Sequence, residues 1–240
     1  GMMTYTRHST DRLLTPTSGR GQARAAVGED EGLELAAAAL KGVDADKFAI
    51  VLSAQHSTED NLALVKFAGA LGTSRLYLAA LGGWEGDDIL RSDDNNPNRA
   101  GATQAAGAVE LKSLSELLAD VKSGAVQGVL ALGWASAESL DELSPLTSLD
   151  AVVSLSSHVG ALPAAAAVAL PVADTFEIAG SFVNAKGMTQ SFSPVLSGPA
   201  GIEPAWETAS ALARALGHDL GFDSLESLRQ GLADSAEAAQ

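Results

Sequence analysis

No cysteine occurs among the 240 residues, which excludes disulfides, thiolate-bound zinc and thiolate-bound iron-sulfur clusters within this chain. Aromatic residues make up only 5 %, so a core has to be packed from Ala, Leu and Val. Positive charge is also short. Fifteen Lys and Arg face thirty Asp and Glu, giving a formal net charge of −15. A field of that sign repels phosphate backbones and anionic lipids, which argues against direct binding to nucleic acid or an acidic membrane surface. No apolar run approaches the length of a membrane span. The start Gly1-Met2-Met3 has no basic stretch followed by an apolar one, so no secretory signal is read. Gly1 is read as a cleavage scar, and the chain is expected to be cytoplasmic.

Several chemical signatures are missing as well. Neither GxGxxG nor a P-loop follows the first core strand, Phe48 to Ser53, so that turn has no phosphate cradle. No serine sits in a GxSxG elbow, and His8, His56, His158 and His218 show no metal-binding spacing. Asp93 to Asn98 lacks the glycine and distal glutamate of an EF-hand and reads as a solvated loop. Ser156-Ser157-His158 at a strand end has the residue types of a nucleophilic site but no visible acid; loop serines capping a turn are the simpler account. Glu177, beside apolar residues, is a candidate for a raised pKa.

What is present is an alternation of strands and helices. Strands are predicted at Phe48 to Ser53, Arg75 to Ala80, Val126 to Gly133, Ala151 to Ser156 and Ala167 to Leu170. Helices are predicted at Glu31 to Lys41, from an N-cap at Ser57 to Gly72, and at Ser113 to Ser123, Ala137 to Leu143, Pro204 to Leu216 and Ser224 to Leu232. This pattern predicts an α/β fold: an open parallel sheet of about five strands with helices on both faces, Rossmann- or flavodoxin-like. A short β-turn and helical extension follow it. Gly82 to Gly107 reads as a long irregular stretch with Trp84 packed down as its anchor. Residues 1–28 form a basic arm holding Arg7, Arg12, Arg20 and Arg24, read either as a docking segment or as a flexible tail. Residues 29–220 form the α/β domain, and residues 221–240 a C-terminal helix and fraying tail.

The stretch Ala167 to Gln190 carries the most functional information. Ser181 to Asn184 reads as a strand entering a tight turn, with Gly187 supplying positive φ. Asn184 and Gln190 bracket that turn. Their amides suit either the turn backbone or a heterocyclic ligand. Gly133 and Ser156 fall at strand carboxyl ends, where open α/β sheets place ligands.

These residues resemble the molybdopterin oxidoreductase family, most closely the large iron-sulfur subunit of NADH-quinone oxidoreductase (complex I). Glu177, Gly180, Phe182, Val183, Asn184, Gly187 and Gln190 fall on its late-segment pattern; Met188 stands where an Arg is usual, and that Arg would be the natural phosphate partner. Ser53, Ser57, Thr58, Glu59, Asn61, Ala68, Gly72 and Thr73 echo its first strand-helix unit, Asn96, Pro97, Asn98 and Gly101 its NPN loop. Asp11-Arg12-Leu13 resembles the segment after the last cluster-binding cysteine. The resemblance implies a body domain that starts downstream of an iron-sulfur module, with family cofactors of iron-sulfur clusters and molybdopterin. In this chain, without cysteine, it implies a cofactor-free scaffold that docks an iron-sulfur module and other subunits of a respiratory NADH dehydrogenase-like complex. The retained trace of a pterin-like site would be Gly133, Ser156, Asn184, Gly187 and Gln190. The competing expectation is a small-molecule-binding or enzymatic α/β domain that uses the crevice beyond the strand ends.

Overall fold

The computed structural model describes residues 10–83, 85–87, 89–133 and 140–237. Six strands run parallel: β3 (Phe48–Ser53), β4 (Arg75–Ala79), β5 (Leu111–Ser113), β6 (Gly128–Leu132), β7 (Ala151–Ser156) and β8 (Val168–Pro171). Two short strands, β1 (Thr17–Ser18) and β2 (Ala25–Ala26), extend the β8 edge antiparallel, giving the order β2-β1-β8-β7-β6-β3-β4-β5. Strands covered on both faces are apolar throughout, as in FAIVLS of β3, where all six residues are buried. Ile50 and Leu52 enter one core and Ala49 and Val51 the other.

Helices cover both faces. On one side lie α1 (Glu29–Leu40), α2 (Thr58–Leu71), α3 (Arg99–Ala106), α7 (Ala205–Ala215) and α8 (Leu225–Glu237). On the other lie α4 (Leu114–Lys122), α5 (Ser144–Thr147) and α6 (Ala161–Ala165). A separate hairpin, β9 (Gly180–Val183) with β10 (Thr189–Phe192), packs against α2 and α3.

The α/β class with helices on both faces is as expected. The sheet has six parallel strands rather than five, because Leu111–Ser113 is a three-residue strand that runs straight into the capping box of α4, Ser113 with Glu116. Part of the stretch from Gly82 to Gly107 is the helix α3 and not irregular, while Trp84 lies outside the described residues. Of the helix expected at Ala137 to Leu143, residues 137–139 also lie outside them. Residues 140–143 form a turn leading into α5.

The described part of the basic arm is not a loose segment. Thr17 and Ser18 pair with Ala169 and Val168. Arg20 donates to the carbonyls of Ala165 and Leu149, and Arg24 to Thr17 Oγ1 and the Ala166 carbonyl. Arg20 and Arg24 are thus used to satisfy carbonyl groups at the sheet edge.

Candidate functional site

Strand β3 lies beside β6, yet the chain leaves β3 toward β4 and β5 and leaves β6 toward β7 and β8. The carboxyl ends of β3 and β6 therefore flank the reversal in strand order, the place where doubly wound sheets open a crevice. On the β3 side of this reversal stand Ser53 to Ser57 and the first turn of α2, and on the β6 side Gly133.

The first turn of α2 is enclosed on all sides. Four consecutive residues point around the helix at roughly 100° intervals, and each fixes a different part of the molecule. Thr58 Oγ1 donates to the Ser181 carbonyl on β9 (3.0 Å). The Glu59 carboxylate accepts from Ser181 N–H (2.7 Å), from Ser181 Oγ (3.1 Å) and from Arg229 Nε on α8 (2.6 Å). Asp60 accepts from Ser57 Oγ (2.7 Å) and from Trp206 N–H (3.0 Å), so it caps the amino end of α7. Asn61 closes the end of β3, its Oδ1 accepting from Ser53 N–H (2.8 Å) and its Nδ2 donating to the Ser53 carbonyl (3.0 Å). Ser57 caps the helix itself, accepting from Asp60 N–H.

Asn98 completes the seal. Its Oδ1 accepts from Val183 N–H and its Nδ2 donates to the His56 carbonyl, both at 2.8 Å. A side chain at Gly101 would overlap Asn98 Oδ1 and Thr58 Oγ1, so α3 approaches this closely only because residue 101 has no Cβ.

This environment sets the protonation of the buried groups. Burial pushes Asp60 up to about 6, against the opposing Ser57 and Trp206 hydrogen bonds. Burial moves His56 the other way, down to about 4, with its Nδ1 3.1 Å from Ser53 Oγ.

A second polar cluster lies beyond the end of β7. Arg12 and Glu177 form a bidentate pair at 2.7 and 2.9 Å, their side chains only 5 % and 4 % exposed. Burial raises the Glu177 carboxyl, but the bonds from Arg12 and from Asp174 N–H outweigh it and hold the group below its ordinary value. The raised pKa expected for Glu177 is thus replaced by a lowered one. His158 Nδ1 lies 2.9 Å from Ser157 Oγ and 3.8 Å from Asp174 Oδ2. Serine and acid meet the same ring nitrogen, whereas a proton relay needs them on opposite ones.

The expected site residues fall into two groups. Gly133 and Ser156 adjoin: a Cβ on Gly133 would stand 2.8 Å from Ser156 Oγ and from the Leu155 carbonyl. Ser156 Oγ is buried without a hydrogen-bond partner among the described residues. Asn184, Gly187 (φ +76°) and Gln190 lie on the β9–β10 hairpin. Asn184 Oδ1 accepts from Lys186 N–H (2.9 Å) and Met188 N–H (3.0 Å), so it serves the turn. No hydrogen bond among the described residues links it or Gln190 to Gly133 or Ser156. Because these turn bonds are exposed, Asn184→Ala is expected to cost only about 0.5–1 kcal/mol, measured by chemical denaturation.

The network around Glu59, Asp60 and Arg229 was not singled out from the sequence. Ser-Thr-Glu-Asp-Asn reads as an ordinary solvated cap, and its partners Ser181, Trp206 and Arg229 lie 122 to 170 residues away. A signal was nevertheless present. Ser53, Thr58, Glu59, Asn61, Asn98 and Gly101, which carry the family resemblance in separate stretches, meet here, and Arg12 and Glu177, which carry it too, pair with each other in the second cluster.

A phosphate-bearing cofactor bound as in dinucleotide folds needs an open helix amino terminus. The amino end of α2 carries two buried carboxylates beneath the hairpin. The donors for a metal are also wanting: among the described residues no group of three or more His, Cys, Asp or Glu is placed to hold an ion. These residues therefore do not fit a metal-bearing nucleotide cofactor at the first turn. No helix among them is long and apolar enough to cross a membrane.

The family model described as molybdopterin oxidoreductase matches residues 30–215. No curated protein matches the chain.

Proposed function

The chain belongs to the molybdopterin oxidoreductase family, and from that premise we propose that it is a cofactor-free structural and docking domain of an NADH-quinone oxidoreductase-like electron-transfer assembly in the cytoplasm. The observation that carries the reading is the seal over the first strand-helix turn. There the chain's own Ser181, Val183, Trp206 and Arg229 occupy the groups around α2 that a ligand would need. Residues that carry the family resemblance are used to join β9, α3, α7 and α8 to the sheet. That is scaffold chemistry: it fixes surfaces relative to one another and engages Thr58, Glu59, Asp60 and Asn61 in internal hydrogen bonds.

The partner would be an iron-sulfur subunit of the assembly, since the chain has no cysteine to hold a cluster. Co-expression with such a subunit tests this. A stable complex on size-exclusion chromatography is expected, and separate elution of the two at micromolar concentration would contradict it.

One observation favours a second reading, a small heterocycle bound at the strand ends: the hydroxyl of Ser156 beside Gly133, buried and unpartnered among the described residues. A buried hydroxyl without a partner is a cost to folding. On the scaffold reading, Ser156→Ala is expected to leave stability unchanged or raise it by up to about 1 kcal/mol. On the ligand reading, the same variant abolishes a thermal shift that a pterin analogue gives the parent chain.

A further inference from the structure

The hairpin has one edge that the described residues do not use. Ser181 and Val183 send their N–H groups away from β10, to Glu59 and Asn98, and the Ser181 carbonyl accepts from Thr58. The pairs Ser181–Ser191 and Val183–Thr189 are therefore the non-hydrogen-bonded pairs of the antiparallel ladder, in which both residues turn their main-chain groups outward. On β9 those groups meet α2 and Asn98. On β10 they belong to Thr189 and Ser191, both exposed. Beside this edge is a cavity of about 450 Å³ walled by Phe176, Phe182, Phe192 and Val195. Phe182 and Phe192 pack edge to face at 5.0 Å, and Val195 is 61 % exposed.

We propose that this edge docks an extended segment of a partner protein, which adds a third strand to the hairpin through Thr189 and Ser191 and sets one apolar side chain in the phenylalanine-walled cavity. An open row of N–H and C=O groups is matched by another main chain, and an adjoining apolar pocket selects a side chain at one position of it. Charge and size decide which chain. A second copy would bring another −15 and repel the first. The edge is four residues long, Thr189–Phe192, roughly 14 Å, too little for the roughly 1,600 Å² of a standard stable interface. The occupant is a short, neutral or basic segment. This inference rests on the docking reading and names its surface.

The test uses the full chain and the capped hexapeptide KTVTFK, followed by amide NMR shifts. Binding at about 1 mM is expected, with the shifts centred on Thr189 and Ser191 and slower hydrogen exchange at Ser191. Ser191→Pro removes one outward donor, a change that edge strands tolerate. It is expected to weaken binding about tenfold and leave the Tm within about 2 °C. Should the proline disturb folding, Val195→Asp changes only the exposed cavity wall and is expected to weaken binding likewise. No shifts at about 5 mM peptide, shifts centred elsewhere, or unchanged affinity in both variants would overturn the proposal. If the peptide fails while the iron-sulfur subunit still binds, docking occurs on another surface. If the peptide binds and the subunit does not, the edge stands and the docking partner is a different protein.

Discussion

Replacing Glu59 with alanine is expected to lower the unfolding free energy by about 3 kcal/mol, the low end for removing one partner of a hydrogen-bonded charge pair, since only the carboxylate side of this pair is fully buried. The carboxylate is 1 % exposed and accepts three bonds, two from Ser181 and one from Arg229. Without it, a buried N–H and a hydroxyl on β9 lose their acceptor, and the guanidinium that ties α8 to α2 loses its counter-charge. Arg229→Ala is expected to cost less, about 1–2 kcal/mol, because the Arg229 side chain is 39 % exposed where the carboxylate is 1 % exposed. Glu59→Gln separates charge from shape. It keeps one acceptor oxygen but turns an NH₂ toward a donor, so its cost falls between the two. Urea denaturation of the three variants checks the order, and a loss under about 1 kcal/mol for Glu59→Ala would mean that β9 does not depend on this carboxylate.

The second large effect is a change in the shape of the pH dependence. Burial holds the Asp60 pKa at about 6 in the folded state against an ordinary value of 3.8, so the folded state binds more protons between those values. Stability from this group is present at low pH and falls by about 3 kcal/mol as pH rises from about 4 to 6. His56, at about 4 when folded against 6.5, acts in the opposite sense, and its contribution falls as pH drops through the same window. The two nearly offset, and the parent chain is expected to have a flat Tm between about pH 4.5 and 6. Asp60→Asn keeps an acceptor for Trp206 N–H and removes the titration. Its Tm is expected to climb with pH across that window, while His56→Gln should give a Tm that declines. Below the window Glu177, held low by Arg12, adds an acid-side loss in every variant. Parallel Tm profiles for the parent and Asp60→Asn would show that Asp60 does not titrate there.

The fold was legible where the physics is local. The apolar runs of β3, β6, β7 and β8, the Ser57 cap and the glycine stops each depend on neighbours within a turn or strand. Leu111–Ser113 escaped because a three-residue strand joined to a helix cap has no period of its own. Helix α3 escaped because Asn98, which stands at its N-cap position, makes no cap bond and spends its side chain on Val183 and His56. The arm was legible in charge but not in place: Arg12, Arg20 and Arg24 look like surface cations until the carbonyls and the Glu177 carboxylate they serve are brought to them by β7, α6 and β8. For the site, residue identity was readable and burial was not. Glu59, Asp60 and Asn61 have the same composition in a solvated cap as in an enclosed one, and only the return of the chain at Ser181, Trp206 and Arg229 distinguishes the two.

The proposal that the amino end of α2 is an internal seal rather than a cofactor site is tested most directly by metal and pterin analysis of the full chain expressed in a host that makes molybdenum cofactor. Molybdenum, iron and released pterin each at well under about 0.1 per chain are expected, because the amino end of α2 is filled by Glu59, Asp60 and the hairpin. Molybdenum or pterin at one equivalent per chain would contradict it.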